Sequence, residues 1–275
     1  MLQLVKRSLA LSLSIPVKPG AIHRYSNDLD FERRLYEMIE VLPMLEEAYR
    51  RGQMLADGRI AASEMDLGNI IGKALRAAME ASGERPLVGL WSAGVVSAAI
   101  EGYADEAGIK AGGSLRSLVT RILYSTTLRD SESFLEALSG VGDSDLINAI
   151  ESKGFSASSL QLSSPSLGDL FEAASSVDKG FMINSKEYGE LVELSKVISS
   201  SKNIAVGVVK AYLQLAGSAL KLKDLYDLSQ HAELDASTLV KLDRKYAPQR
   251  DLLNRLLGGV FLATYVAVIE KGSLW

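Results

Sequence analysis

Two stretches of the chain, Leu87–Ile100 and Leu256–Ile269, run for 14 residues each without a charged side chain. A helix that crosses a bilayer needs about 20 apolar residues, so both runs are predicted to be core helices that the rest of the chain must cover. The rest has the pattern to do so. Leu35, Met38, Ile39, Leu42, Leu45 and Tyr49 recur at helical spacing, with charges on the other face. Tyr188, Leu191, Val192, Ser195 and Ile198 do the same. Period-2 strand patterns are absent. The expectation is an all-α fold of about ten helices in one domain, residues 1–275.

In order, helices are expected over residues 3–15, from Asp28 to near Gly52, and from Ser63. Pro43 would kink or divide the second, and Ser63-Glu64-Met65-Asp66 would cap the third. Gly68 and Gly72 share a face, for a close helix neighbour or a ligand. Residues 115–128, 131–139, 143–151, 203–221 and 247–269 read as further helices, and Asn184 or Ser185 would cap another. The tract 152–176 holds nine serines; it is expected to be a surface connection or lid, partly packed through Leu160, Leu162, Leu167, Leu170 and Phe171.

Composition narrows the chemistry. A formal charge of −4 and no cysteine argue against a broad nucleic-acid surface, disulfides and thiolate chemistry. With two histidines, His23 and His231, a histidine-rich metal site is not expected. The chain reads as cytoplasmic, with no membrane or nucleic-acid partner; a homo-oligomer is open.

The densest polar chemistry lies in Pro16-Val17-Lys18-Pro19-Gly20-Ala21-Ile22-His23-Arg24-Tyr25-Ser26-Asn27-Asp28-Leu29-Asp30-Phe31. Two prolines and a glycine make it irregular, and loops held between helices often carry function. The plainer alternative is a helix connection capped by Asn27 or Asp28, with a structural His23 and a solvated Lys18.

This segment resembles the opening loop of the triphosphoribosyl-dephospho-CoA synthase family. That family has Pro-Lys-Pro-Gly, then His, then one or more Asp before a helix. Here Lys18-Pro19-Gly20, His23 and Asp28-Leu29-Asp30 correspond. The resemblance is closest over residues 16–31 and thinner over 32–80. The family's Asn-Thr-Asn-Leu-Gly is matched by Glu64-Met65-Asp66-Leu67-Gly68, which keeps only Leu-Gly. Its late Asn-Pro-Gly-Thr-Thr-Ala-Asp is matched by Asn254-Arg255-Leu256-Leu257-Gly258-Gly259-Val260, which lacks the Asp. Asp235–Lys241 is loosely similar to a further family segment.

The resemblance implies a transferase that takes ATP and dephospho-CoA, moves a triphosphoribosyl unit and releases adenine. It implies Lys18, Arg24, Gly68 and Asn69 as nucleotide-binding residues. His23 and Asp30 would be catalytic, and Asp28, Asp30 and Asp66 would be ligands of Mg²⁺. Two alternatives follow from the departures: a nucleotide-binding or scaffold protein that has lost catalysis, and a transferase with a changed acceptor.

Overall fold

A computed structural model describes residues 2–15, 17–26, 29–109, 111–156, 158–184 and 186–271. Among these there is no strand. The helices are α1 (Gln3–Ser14), α2 (Asp30–Ala56), α3 (Leu67–Ser82), α4 (Val88–Ala107), α5 (Ala111–Tyr124), α6 (Leu128–Gly140), α7 (Ser144–Glu151), α8 (Leu160–Ser163), α9 (Leu167–Ala174), α10 (Tyr188–Ser200), α11 (Ile204–Ala219), α12 (Lys223–Ser229), α13 (Ala236–Tyr246), α14 (Arg250–Asn254) and α15 (Leu257–Lys271). Short 3₁₀ turns lie at Ala62–Glu64, Lys179–Asn184 and Ala247–Gln249. The expectation of an all-α fold holds.

The two uncharged runs become α4 and α15, and both sit in the core. From Val88 to Gly102 every residue of α4 is buried. Such a helix needs neighbours on all sides, and glycines let α2 come close. A Cβ on Gly52 would strike the Ala99 carbonyl, and one on Gly102 would strike the Tyr49 carbonyl. The remote carboxylate of Glu101 caps α1, accepting the N–H groups of Gln3 (2.8 Å), Leu4 (3.1 Å) and Val5 (3.0 Å). These are donors that a helix cannot satisfy by itself.

One end of the molecule gathers the starts of α2, α4 and α15 and the ends of α3 and α6. Arg34 of α2 donates to the Arg85 carbonyl just before α4 (3.3 Å). Gly258 of α15 abuts both Gly89 of α4 and Gly180, where added side chains would collide.

Several boundaries differ from expectation. Pro43 lies inside an unbroken α2. The third helix begins at Leu67, not Ser63, because Asp66 takes a left-handed conformation (φ 53°) that ends the 3₁₀ turn. Ser185 lies outside the described residues, and the tenth helix takes Glu187 at its cap position. The serine tract is not one connection. Its second half is α9, fixed by Ser131 donating to the Pro165 carbonyl (2.6 Å) and by Leu167 N–H donating to Thr126 Oγ1 (2.8 Å). The long last helix is broken: Ala236–Asn254 and Leu257–Glu270 meet at 76°. No single helix among the described residues is long and apolar enough to cross a membrane.

Candidate functional site

The gathered helix ends enclose a polar cleft of about 420 Å³. Its wall comes from five separate places: Arg34 on α2, the turn 84–88 before α4, the turn 141–143 after α6, Asp178, and the corner 251–255 between α14 and α15. The volume is that of an ordinary small-ligand site.

Two buried arginines dominate it. Arg34 pairs with Glu37 and lies 3.6 Å from Glu84. Glu37, wholly buried, also accepts the Trp91 indole N–H (2.8 Å), and burial pushes its carboxyl up. The Arg34 Nε is buried and finds no partner among the described residues. Arg255, at the corner, donates to Asp143 (3.0 Å) and to Asp145 (2.8 Å). Arg85 on the rim is exposed, and no ion pair engages it among the described residues. It is the cation most open to an arriving anion.

Asp178 is the acidic centre. It is 4% exposed and accepts from Gly180 N–H (2.8 Å) and Gly89 N–H (3.1 Å). Gly89 must be glycine, since a Cβ would land on the Asp178 carboxyl. Burial pushes this carboxyl up to about 7, against the pull of the Gly180 N–H and of Arg255. It can therefore hold or give up a proton near neutrality.

Among the described residues expected to form the site, Lys18, His23, Asp30, Asp66 and Gly68 are engaged by internal contacts. Lys18 is fully buried, and its ammonium donates to the carbonyls of Ser12 and Leu13 (3.1 Å) at the end of α1. It closes a helix rather than holding a phosphate. His23 is 2% exposed. Its Nδ1 accepts the Tyr25 N–H (3.1 Å), so in the neutral ring the proton sits on Nε2, 3.3 Å from Asp243. That arrangement clasps the loop and leaves no lone pair for a substrate. Arg24 is exposed. Asp30 is bound by Arg250 (2.7 Å) and faces Arg33 (3.6 Å). Asp28 lies outside the described residues.

Asp66 accepts from Asn69 (2.9 Å) and lies 3.9 Å from Arg51, late in α2. Asp30 begins the same helix. The 21 residues from 30 to 51 put roughly 30 Å between these ends, so Asp30 and Asp66 do not form one metal site. Gly68 is a packing residue: its N–H donates to Asp130 (2.9 Å), and a Cβ would strike the Asp130 carbonyl. Among the described residues no three acidic or histidine side chains are grouped to hold a metal ion. Of the expected Mg²⁺ ligands, Asp30 is taken by Arg250 and Asp66 by Asn69, and the two lie too far apart to share an ion.

The opening loop nevertheless adjoins the cleft. Ile22 N–H donates to Asn254 Oδ1 (2.9 Å) and Gly20 N–H to Asp243 (2.8 Å). Gly20 sits at φ +78°, and any Cβ there would strike Leu253 and Tyr246. Asp235, from the loosely similar segment, caps α13 by accepting from Thr238 N–H (2.8 Å). Hydrogen bonds from Ser237 and Thr238 hold its carboxyl well below the usual range.

Arg34, Asp143 and Arg255 are residues of the cleft that sequence reasoning missed, and Asp178 is one that it names only as a residue the fold could bring close to the altered motifs. Two signals were present: Asp178-Lys179-Gly180 is a charged, glycine-bearing break before a buried turn, and Arg255 stands immediately before an uncharged run. No family model, curated protein or solved structure matches the chain.

Proposed function

We propose that the chain is a divergent triphosphoribosyl-dephospho-CoA synthase-like transferase, acting in the cytoplasm, with ATP bound in the polar cleft. One observation supports this above others. The loop that carries the resemblance, 16–31, and the segment set against the family's late motif, 254–260, which keeps its Asn, are over 200 residues apart, yet they are joined by the Ile22–Asn254 hydrogen bond (2.9 Å) at the cleft wall.

In this reading Arg85 and Arg34 hold phosphate oxygens. The hydroxyl oxygen of the acceptor, dephospho-CoA, bonds to C1′ of the ATP ribose as the C1′–N9 bond breaks. Adenine leaves with the bonding pair and takes up a proton from water, while the hydroxyl proton passes to a base. Asp178 in its ionised form is the base the cleft offers. Positive charge that builds on the sugar is stabilised by Asp178 and Asp143.

The test is a thermal-shift and adenine-release assay with ATP and Mg²⁺, alone and with dephospho-CoA, on the wild type and on Arg85→Gln. ATP at 100 times its dissociation constant adds about 2.7 kcal/mol to stability. The reading requires a stabilising shift that Arg85→Gln weakens, and adenine release that depends on dephospho-CoA. It is abandoned if ATP stabilises neither protein.

A second reading has its own observation. Lys18, His23 and Asp30 are all consumed by internal contacts. This favours a protein that binds the nucleotide without transferring from it. Stabilisation by ATP with no adenine release would select this reading.

A further inference from the structure

Arg255 faces a second cleft. This one measures about 560 Å³ and is lined by α7, the stretch 176–179, the end of α11 and the α14–α15 corner. Arg255 is the residue that lines both. Its guanidinium separates them in a specific way: the same nitrogen, Nη2, donates to Asp143 of the first cleft (3.0 Å) and to Asp145 of the second (2.8 Å). Asp143 is buried, whereas the Asp145 side chain is 64% exposed. The partition is therefore anchored on one side and open to solvent on the other.

The two linings differ in chemistry. The first is mostly charged. The second combines the apolar Val177, Ala219, Leu220, Leu252 and Leu256 with polar side chains of α7 and of the stretch 176–179. Leu252 is 45% exposed, so its side chain is free to be covered by a ligand. The break between α14 and α15 generates this arrangement. A continuous helix would have carried Leu252 and Arg255 along one axis; the 76° turn puts Arg255 between two hollows.

We propose that the second cleft seats a second, elongated ligand, with an apolar arm against Leu220, Leu252 and Leu256 and a polar end that meets the occupant of the first cleft at Arg255. Arg255 is then a positioning residue, orienting the facing ends of two ligands. The inference rests on the reading above for the identity of both occupants, and on the geometry of the second cleft for the place of the second.

Isothermal titration of the full chain tests it, with dephospho-CoA and, separately, ATP with Mg²⁺ as probes. Three proteins are compared: wild type, Leu252→Glu and Arg85→Gln. Leu252 is a surface position, so the glutamate leaves the core intact, and circular dichroism checks this. Loss of one apolar contact and burial of a charge weaken dephospho-CoA binding about tenfold or more. ATP binding stays unchanged in Leu252→Glu and falls in Arg85→Gln. The inference is overturned if Leu252→Glu binds dephospho-CoA as the wild type does, or if the wild type does not bind it. If ATP fails to bind while dephospho-CoA binds in a Leu252-dependent way, the nucleotide reading falls and the second cleft stands.

Discussion

Lys18 and Asp178 are buried ionisable groups whose titration pulls stability in opposite directions. Burial lowers Lys18 to about 7 from its ordinary 10.5. Between those values the unfolded chain binds the proton and the folded chain does not, so stability rises with pH across that window and is lost as pH falls back toward about 7. Asp178 is raised to about 7 from 3.8. Between those values the folded chain holds the extra proton, so its contribution is full below about 4 and is lost as pH rises toward 7. Each group contributes a slope of at most about 1.4 kcal/mol per pH unit. Urea unfolding from pH 5 to 9 is expected to show two separable effects. Lys18→Met should flatten the rise above pH 7, and Asp178→Asn the fall below it. A variant that keeps the wild-type slope in its own window would refute the assignment for that residue. The roles of these two residues differ in how far they can be read from sequence. The loop around Lys18 announces itself through Pro19 and Gly20, but nothing local says that the ammonium turns back onto α1. Asp178 owes its environment to Gly89 and Gly180, and Gly89 is 89 residues away, so no spacing rule reaches it.

At the scale of elements, the crossing of α2 and α4 is set by what is missing from Gly52 and Gly102. A methyl group at Gly102 meets the Tyr49 carbonyl, which belongs to the backbone and cannot swing aside. Gly102→Ala is expected to destabilise by about 1–3 kcal/mol, enough to lower Tm by roughly 2–4 °C per kcal/mol. Gly189 is exposed in the first turn of α10, and a methyl group added there would meet nothing within 4 Å. Gly189→Ala should therefore stabilise by up to about 1 kcal/mol, through helix propensity alone. Calorimetry on the pair separates packing from propensity, and equal effects of one sign would contradict the crossing. Helices with strong periodicity or long uncharged runs, α2, α4, α10 and α11, were legible in the sequence. The α14–α15 corner was not. Pro248 suits a helix start as well as a turn, and the break at Arg255 is held by contacts from distant residues: Lys179 N–H to the Arg255 carbonyl (3.0 Å), and Asp143 and Asp145 to its guanidinium. Since that corner forms the shared wall of both clefts, the site was less legible than the fold around it.

Over the whole molecule, α1 and α15 are tied into the same core. Glu101 of α4 caps the start of α1, and Tyr265 of the last helix donates to the Ser97 carbonyl of α4 (3.1 Å). Buried residues from α1, α4, α9, α11 and α15 belong to one continuous apolar cluster. Phe134, Phe171 and Phe181 bring the middle of the chain into it, with ring centroids 4.7–5.9 Å apart. Among the described residues these helices share that cluster. Thermal unfolding should be a single transition. Trp91 reports on it from inside α4, through an indole held by Glu37 (2.8 Å), while far-UV circular dichroism reports on all the helices. The two curves are expected to coincide, with equal calorimetric and van't Hoff enthalpies. Glu101→Ala sharpens the test, because it leaves three donors of α1 without their acceptor, at about 1–3 kcal/mol for a buried unsatisfied group. If the fold is one cooperative unit, this variant lowers both curves together. An early dichroism loss with an unmoved Trp91 transition would mean instead that α1 opens by itself and that the single-domain reading is wrong.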